Sequence, residues 1–300
     1  MAVEHIIPGF EDPTCGIAVA AKQLLARGVG EDGEVWVHSM WTPLVIKASI
    51  KALLTGKRLV RMPHGCTDPE KLRYHWHKKR WVASIERWLF RRADRIIATC
   101  EDEVNWIKEF EPKVKKVEVV PLSPLSVYRA ASHASCIDVA VPKTAKLKLL
   151  YVGRLHQLKG VEFLFEAIPP GCKLVVIGKD EGEGRKLKKI AARRGLDVEF
   201  RGVVSEEDKE AAYQWCDALV LPTLSENFGL VIAEALERGK RVITTDGAPA
   251  WGDGNDYGGR LVYLKGYRDG AEKMRVSLLT EAIKHFQNKE SDKCSTIKYY

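Results

Sequence analysis

The sequence lacks the marks of several large protein classes. No stretch of 18 consecutive apolar residues occurs, so no segment is expected to cross a bilayer as a helix. The opening MAVEHIIPGFED has neither a basic start nor a long apolar core, and no secretory leader is expected there. Cysteine is sparse and poorly patterned for cross-linking. The seven stand at positions 15, 66, 100, 136, 172, 216 and 294, an odd number without a CxxC pair. That argues against a disulfide framework and for reduced thiols in a cytoplasmic protein. His75 and His77 flank Trp76 with no cysteine or carboxylate at ligand spacing, so no zinc site is expected. Internal repeats are missing, as is any nucleic-acid recognition module, and GRLHQLKG is neither a Walker motif nor a GxGxxG.

What is present suits a globular chain of two domains. Three hundred residues allow two of ordinary size, and 45% hydrophobic residues can fill their cores. The net charge is +8, which makes an anionic partner plausible. Most of that excess sits in one segment. Between Lys71 and Arg95 nine lysines and arginines stand against Glu86 and Asp94. The expected helix over 70–92 has two faces. Trp81, Ile85, Trp88 and Leu89 follow helical spacing and are expected to pack inward. Arg80, Arg87, Arg91 and Arg95 share another face, which could meet an anionic membrane surface or acceptor. A solvated face of a core helix is the plainer alternative.

Strand and helix patterns alternate along the chain, the signature of parallel α/β sheets. Short apolar runs predict strands at 4–7, 35–38, 58–62, 95–99 and 117–121, then at 147–152, 173–177, 197–201, 218–222, 241–245 and 260–263. Helical patterns fill the gaps, among them 41–54 and a last helix over 276–286. Ser205 and Asp208 have the spacing of a capping box. Residues 123–145 lose periodicity and are rich in Ser, Ala and Pro, which marks a connection. The expected domains are 1–135 and 136–300.

One stretch, Leu219 to Gly239, carries the densest chemistry. It reads as a strand, a polar turn and a helix over 228–238 closed by Gly239. Glu226 lies in the turn and Glu234 in the helix, with seven residues between. They are too far apart to share a proton but suit two ends of an extended ligand. Backbone N–H groups at Phe228, Gly229 and Leu230 would open an anion site, and Gly229 lets a ligand approach the main chain. GRLHQLKG follows an earlier strand. Its Gly153 permits a close turn, and Arg154 and Lys159 could both face a pyrophosphate. His64, in MPHGCTDP, falls at the carboxyl end of a strand, where open parallel sheets bind ligands.

The segments SENFGLVIAEALERGKRVITTDGAP and YVGRLHQLKGVEFL, with VHSMWTP and MPHGCTDP, resemble the retaining glycosyltransferases of family four. The resemblance covers most of residues 34–265. It implies the GT-B fold: two Rossmann-like, doubly wound parallel-sheet domains with a cleft between them. The amino-terminal domain looks trimmed. It also implies a role for each matched residue. Glu226 and His64 would act at the donor sugar. Gly153, Arg154, Lys159, Asn227, Phe228, Gly229 and Leu230 would bind the donor, with Glu234 on the ribose hydroxyls. Gly16 stands where the family's glycine-rich turn approaches the donor phosphate, although Cys15 replaces the usual second glycine and a plain helix start is the alternative. The donor is expected to be a nucleotide-sugar, UDP-linked by default. No cofactor and no metal are expected, since the DxD triplet of cation-dependent transferases is missing. The acceptor would be a saccharide on a lipid-linked or membrane-associated glycan, as in lipopolysaccharide or capsule assembly. The enzyme would be cytoplasmic, peripheral at the inner face of the membrane. A non-catalytic binder of nucleotides or anionic polymers, with a degenerate site, is the reading from a different class. Nucleic acid is not an expected partner.

Overall fold

The computed structural model describes residues 3–11, 16–74, 76–122, 146–252 and 257–287. The chain divides into two compact units, Met1–Leu122 and Ser123–Tyr300. The expected boundary at 135/136 and the expected connection over 123–145 lie outside the described residues. In the first unit β1 (Glu4–Ile6), β2 (Glu34–His38), β3 (Arg58–Met62), β4 (Arg95–Ala98) and β5 (Val117–Val119) form one sheet in chain order. Every pair is parallel. Val35, Val37, Leu59, Ile96 and Ala98 share one face. They pack on Val45 and Ala52 of helix Pro43–Leu54, Phe90 of helix Trp76–Arg92, and Val104, Ile107 and Phe110 of helix Glu101–Phe110. A separate cluster of Ile7, Ala18 and Ala21 lies under helix Gly16–Ala26. The second helix begins two residues later than the pattern predicts. Thr42 is extended and its hydroxyl accepts from the Val45 N–H, while Pro43 fits the first helical position.

The second unit contains β6 (Leu147–Val152), β7 (Cys172–Ile177), β8 (Asp197–Gly202), β9 (Ala218–Leu221), β10 (Arg241–Thr245) and β11 (Leu261–Leu264). All pairs are parallel, in the order β11-β10-β9-β6-β7-β8. The chain winds outward from β6 through β7 to β8. It then returns to the other side of β6 with β9. The reversal between β6 and β9 is the switch point of a doubly wound sheet. β6, β7 and β9 are nearly continuous apolar runs, as strands covered on both faces must be. Ser205 caps helix Glu206–Trp215 through the Asp208 N–H at 3.1 Å, as its spacing predicts. The last helix is Glu272–Gln287. No helix among the described residues is long and apolar enough to cross a membrane.

The basic segment departs from expectation. Its single long helix is two, Pro69–Arg73 and Trp76–Arg92, and Arg95 lies beyond them in β4, paired with Glu34 at 3.0 Å and Glu118 at 2.8 Å. The face turned inward is Ala83, Glu86, Leu89 and Phe90. Leu89 is buried as expected, but Trp81 is 76% exposed, Ile85 42% and Trp88 39%. Charge decides the rotation. Arg61 on β3 is fully buried, and Glu86 is the one acidic residue of helix 76–92. Glu86 Oε2 accepts from Arg61 Nη2 at 2.8 Å, and its Oε1 accepts from the Trp41 N–H at 2.8 Å. Arg61 also donates to Ser49 Oγ at 3.2 Å and lies over the Phe90 ring. Turning both tryptophans inward would strand two buried charges, which costs more than two exposed rings. Glu86→Ala is therefore expected to cost about 3–5 kcal/mol in chemical denaturation, the range for breaking a buried pair from one side. Trp81→Ala should stay within about 0.5 kcal/mol, as exposed positions do.

Candidate active site

Two loops flank the switch point and are locked together by main chain. The first follows β6 and carries Gly153, Arg154 and Lys159. The second follows β9 and carries Glu226 and Asn227. Gly160 has φ +59°, and a Cβ there would lie 2.2 Å from the Pro222 carbonyl oxygen. Only glycine fits such a contact. The Leu158 carbonyl accepts from the N–H groups of Leu224 (2.9 Å) and Ser225 (3.3 Å) and from Thr223 Oγ1 (3.2 Å). On the opposite flank Gly247 packs as closely against the Thr223 carbonyl, and its own carbonyl accepts the Glu226 N–H at 2.7 Å. The Thr245 hydroxyl also donates to the Thr223 carbonyl. The 223–227 turn is thus clamped between residues 158–160 and 245–247.

The clamp brings Lys159 and Glu226 together. Lys159 Nζ donates to Glu226 Oε2 at 2.5 Å and to the Ser225 carbonyl at 3.2 Å. Glu226 Oε1 accepts the Asn227 N–H at 3.1 Å. The two side chains are 10% and 23% exposed, so the pair is only partly screened by water. Arg154 has a different partner: its guanidinium donates to both oxygens of Glu181, at 2.9 and 3.1 Å, from an exposed position. A Cβ at Gly153 would meet the Tyr151 hydroxyl at 2.9 Å, and that hydroxyl donates to the Arg154 carbonyl. Burial, with the Glu226 charge, pushes the Tyr151 phenol well above its ordinary range, which keeps it a neutral donor.

The helix after the turn runs from Leu230 to Glu237, two residues later than the sequence pattern predicts. Gly229 precedes it at φ +73°, a left-handed conformation that cannot continue backward as helix. Phe228 is buried against the Trp251 ring, and Trp251 Nε1 donates to its carbonyl. Of the three N–H groups expected at the helix start, Leu230 alone belongs to the first turn. Glu234 lies within the helix, where its Oε2 accepts from the Tyr213 hydroxyl at 2.8 Å and meets Lys209 Nζ at 3.5 Å. The two glutamates of the motif therefore hold separate partners.

In the first unit, His64 follows β3 with φ +53° and is buried. Its Nε2 is 2.8 Å from His38 Nδ1, and His38 Nε2 is 3.0 Å from His5 Nδ1. The rings stack, with centroids 5.1 and 5.2 Å apart. Burial pushes His64 down to about 3, with the Lys71 charge adding to it. Burial, then the neighbouring histidines, holds His38 well below the ordinary imidazole value, and burial lowers His5. All three are neutral at physiological pH. Glu103 anchors the same loop, accepting from the Gly65 N–H at 2.5 Å and from the Thr99 N–H and hydroxyl at 2.7 Å. The sequence pattern did not single out His5, His38 or Glu103. A histidine closing β2, beside the strand that leads to His64, was the available signal.

The remaining candidates fall elsewhere in this unit. Gly16 is the first residue of its helix with open space where a Cβ would be, and residues 12–15 before it lie outside the described set. Arg80 and Arg87 are exposed, over the rings of Trp81 and Phe110, and the half-buried Arg91 is 3.8 Å from Glu111. On the helix wheel Arg80, Arg87 and Arg91 border one side of the exposed Trp81–Ile85–Trp88 stripe. Arg92 falls within the stripe, its guanidinium over the Trp88 ring, and Lys78 borders the other side.

Known proteins match both units. Glycogen synthase of Mycobacterium tuberculosis is 30% identical over 176 residues, which cover 56% of this chain and 41% of that protein. The chain spans about two fifths of the length of the curated relatives it matches. Among solved structures, Anabaena Alr3699/HepE in complex with UDP and glucose superposes with a TM-score of 0.62 at 19% identity, covering 92% of this chain and 76% of that one. WaaG, a glycosyltransferase involved in lipopolysaccharide biosynthesis, superposes with a TM-score of 0.62 at 14% identity over 97% of this chain and 96% of that one. At these identities the superpositions speak for the fold alone. Residues 4–122 match the family model described as Glycosyltransferase Family 4, and residues 137–253 match Glycosyl transferases group 1. With both parallel sheets accounted for, the chain belongs to the glycosyltransferases of family four and group 1, with the GT-B fold.

Proposed function

We propose that the protein transfers a sugar, with retention of anomeric configuration, from a nucleotide-sugar to a saccharide on a lipid-linked or membrane-associated glycan. The observation that carries this reading is the Lys159–Glu226 pair at the switch point, 2.5 Å apart and partly buried. Glycosyl transfer builds negative charge on the leaving diphosphate as the C–O bond breaks. Lys159, Arg154 and the N–H of Leu230 are cationic or dipolar groups suited to that charge, and they act most strongly where it develops. In the free protein Glu226 compensates Lys159. A bound diphosphate would take the lysine and leave Glu226 to the sugar. Glu234, held by Tyr213, would accept the ribose hydroxyls. His64 would contact the donor sugar, and Gly16 the donor phosphate. UDP is the default donor nucleotide.

The acceptor side rests on helix 76–92. Trp81, Ile85 and Trp88 form an exposed apolar stripe beside a row of arginines, Arg80, Arg87 and Arg91. Amphipathic rings flanked by arginines suit the headgroup level of an anionic leaflet. Each cation contributes ~1 kcal/mol near such a surface, so Arg80, Arg87 and Arg91 give reversible docking rather than insertion. A peripheral position at the inner, cytoplasmic face of the membrane follows from this reading.

Four measurements check these assignments. Glu226→Gln should fold normally and still bind the nucleoside diphosphate, while transfer falls at least about 100-fold. Lys159→Ala should weaken the diphosphate by about 1.5–3 kcal/mol in calorimetry, the worth of a charge-assisted contact. Unchanged affinity would remove the lysine from the donor site. Transfer should persist in EDTA, because side chains and the helix start already meet the diphosphate. Loss in EDTA with recovery in magnesium or manganese would refute metal independence. In vesicle sedimentation the protein should bind anionic but not neutral lipids, and less well at physiological than at low salt. Binding that survives Trp81→Ser with Trp88→Ser would put the contact elsewhere.

A further inference from the structure

The donor-site reading gives His64 a role but no protonation state. The hydrogen-bonded chain behind it supplies one. His5 on β1, His38 at the end of β2 and His64 after β3 are joined by two N···N contacts, at 3.0 and 2.8 Å. A neutral imidazole has one N–H and one lone pair, so each contact fixes which nitrogen carries the proton on both rings. Two arrangements satisfy the chain. In one, His5 Nδ1–H donates to His38 Nε2, and His38 Nδ1–H donates to His64 Nε2. His64 then keeps its proton on Nδ1. In the other every bond is reversed. His5 then holds its proton on Nε2, and His64 presents a bare Nδ1 lone pair.

The far end of the chain chooses between them. His5 Nε2 is buried without a hydrogen-bond partner among the described residues. Among buried backbone groups an orphaned N–H is rarer than an under-satisfied acceptor, and we carry the same preference to the ring. The first arrangement puts a lone pair at that position and the second puts an N–H there. Burial keeps all three rings neutral, so no extra proton disturbs the order. The stacking of His5 on Trp36, with centroids 5.4 Å apart, and of His38 on His5 holds the rings in register along the edge of the sheet.

We propose that His5 and His38 are positioning residues that hold His64 as the neutral Nδ1–H tautomer. His64 is then a hydrogen-bond donor to a neutral oxygen, such as a hydroxyl of the donor sugar, and not a base. Free imidazole side chains default to the opposite tautomer, so the chain sets a property that His64 alone would not have. The assignment rests on the glycosyltransferase reading for the identity of the oxygen only. The tautomer itself rests on the chain.

The test is nitrogen-15 NMR of the histidine rings in the full-length protein at neutral pH, without ligand. His64 should show a protonated Nδ1 and an unprotonated Nε2. A protonated Nε2 on His64 overturns the proposal. His38→Leu removes the donor to His64, and His38→Asn keeps an N–H near the place of Nδ1. The leucine variant should lose the Nδ1–H signature and about tenfold in kcat/KM for the donor, the equivalent of one hydrogen bond. The asparagine variant should recover both to within about threefold. A His64 spectrum unchanged in His38→Leu overturns the proposal, as does equal loss in both variants with the tautomer intact. If the leucine variant does not fold, the wild-type spectrum decides. An Nδ1–H His64 in a protein that turns over no nucleotide-sugar would sink the transferase reading and leave the tautomer standing.

Discussion

The close contact between Gly160 and the Pro222 carbonyl governs the carboxyl edge of the second unit's sheet. Any Cβ at position 160 would lie 2.2 Å from that oxygen. The contact is made by backbone, so it does not depend on a rotamer. It draws the loop after β6 against the turn after β9, where the Leu158 carbonyl collects three donors from residues 223–225. Lys159 stands between these two points of attachment. Its reach to Glu226 is therefore a consequence of how the main chain is packed, with little side-chain freedom left to lose on binding.

In the first unit the organising element is β3. Strand alternation puts Arg61 on the face that meets the helices, and burial obliges it to find an anion. Glu86 answers, and its position on helix 76–92 fixes the rotation of the whole helix. The exposed tryptophan stripe follows from that rotation. The same strand leads into His64, whose loop is held by Glu103 on one side and His38 on the other. One buried cation and one strand end thus set both the surface helix and the interior histidine.

Much of this was legible in the sequence. All eleven strands among the described residues follow from short apolar runs, and their alternation with helical periods implies parallel sheets. The capping serine at 205 and the nearness of Lys159 to Glu226 were also readable, since both loops end strands of one sheet. The rotation of helix 76–92 was not. Its tryptophans and its Ala83–Phe90 face both recur at helical spacing, and periodicity cannot tell which faces in. The answer came from Arg61, on β3 ahead of the helix in sequence. The start of helix Leu230–Glu237 is not legible, because Phe228 and Gly229 continue the apolar pattern while the left-handed Gly229 interrupts the backbone. The histidine chain joins three strands or strand ends, and local sequence windows do not see contacts of that range.

The Lys159–Glu226 pair raises an energetic question: whether a ligand can displace a contact that close. A partly buried ion pair resists separation when one partner would be left bare, because the abandoned charge has lost both its counterion and its water. A diphosphate bound as proposed would avoid that penalty for the lysine, since it brings more negative charge than the carboxylate it replaces and would sit near the start of a helix. Glu226 needs its own compensation. The Asn227 N–H already satisfies one oxygen at 3.1 Å, so the carboxylate is not left without a donor. Sugar hydroxyls can supply the rest, whereas a free diphosphate cannot. On the proposed reading the exchange would therefore favour an intact nucleotide-sugar over the nucleotide alone, and the pair would couple occupancy of the phosphate position to engagement of the sugar.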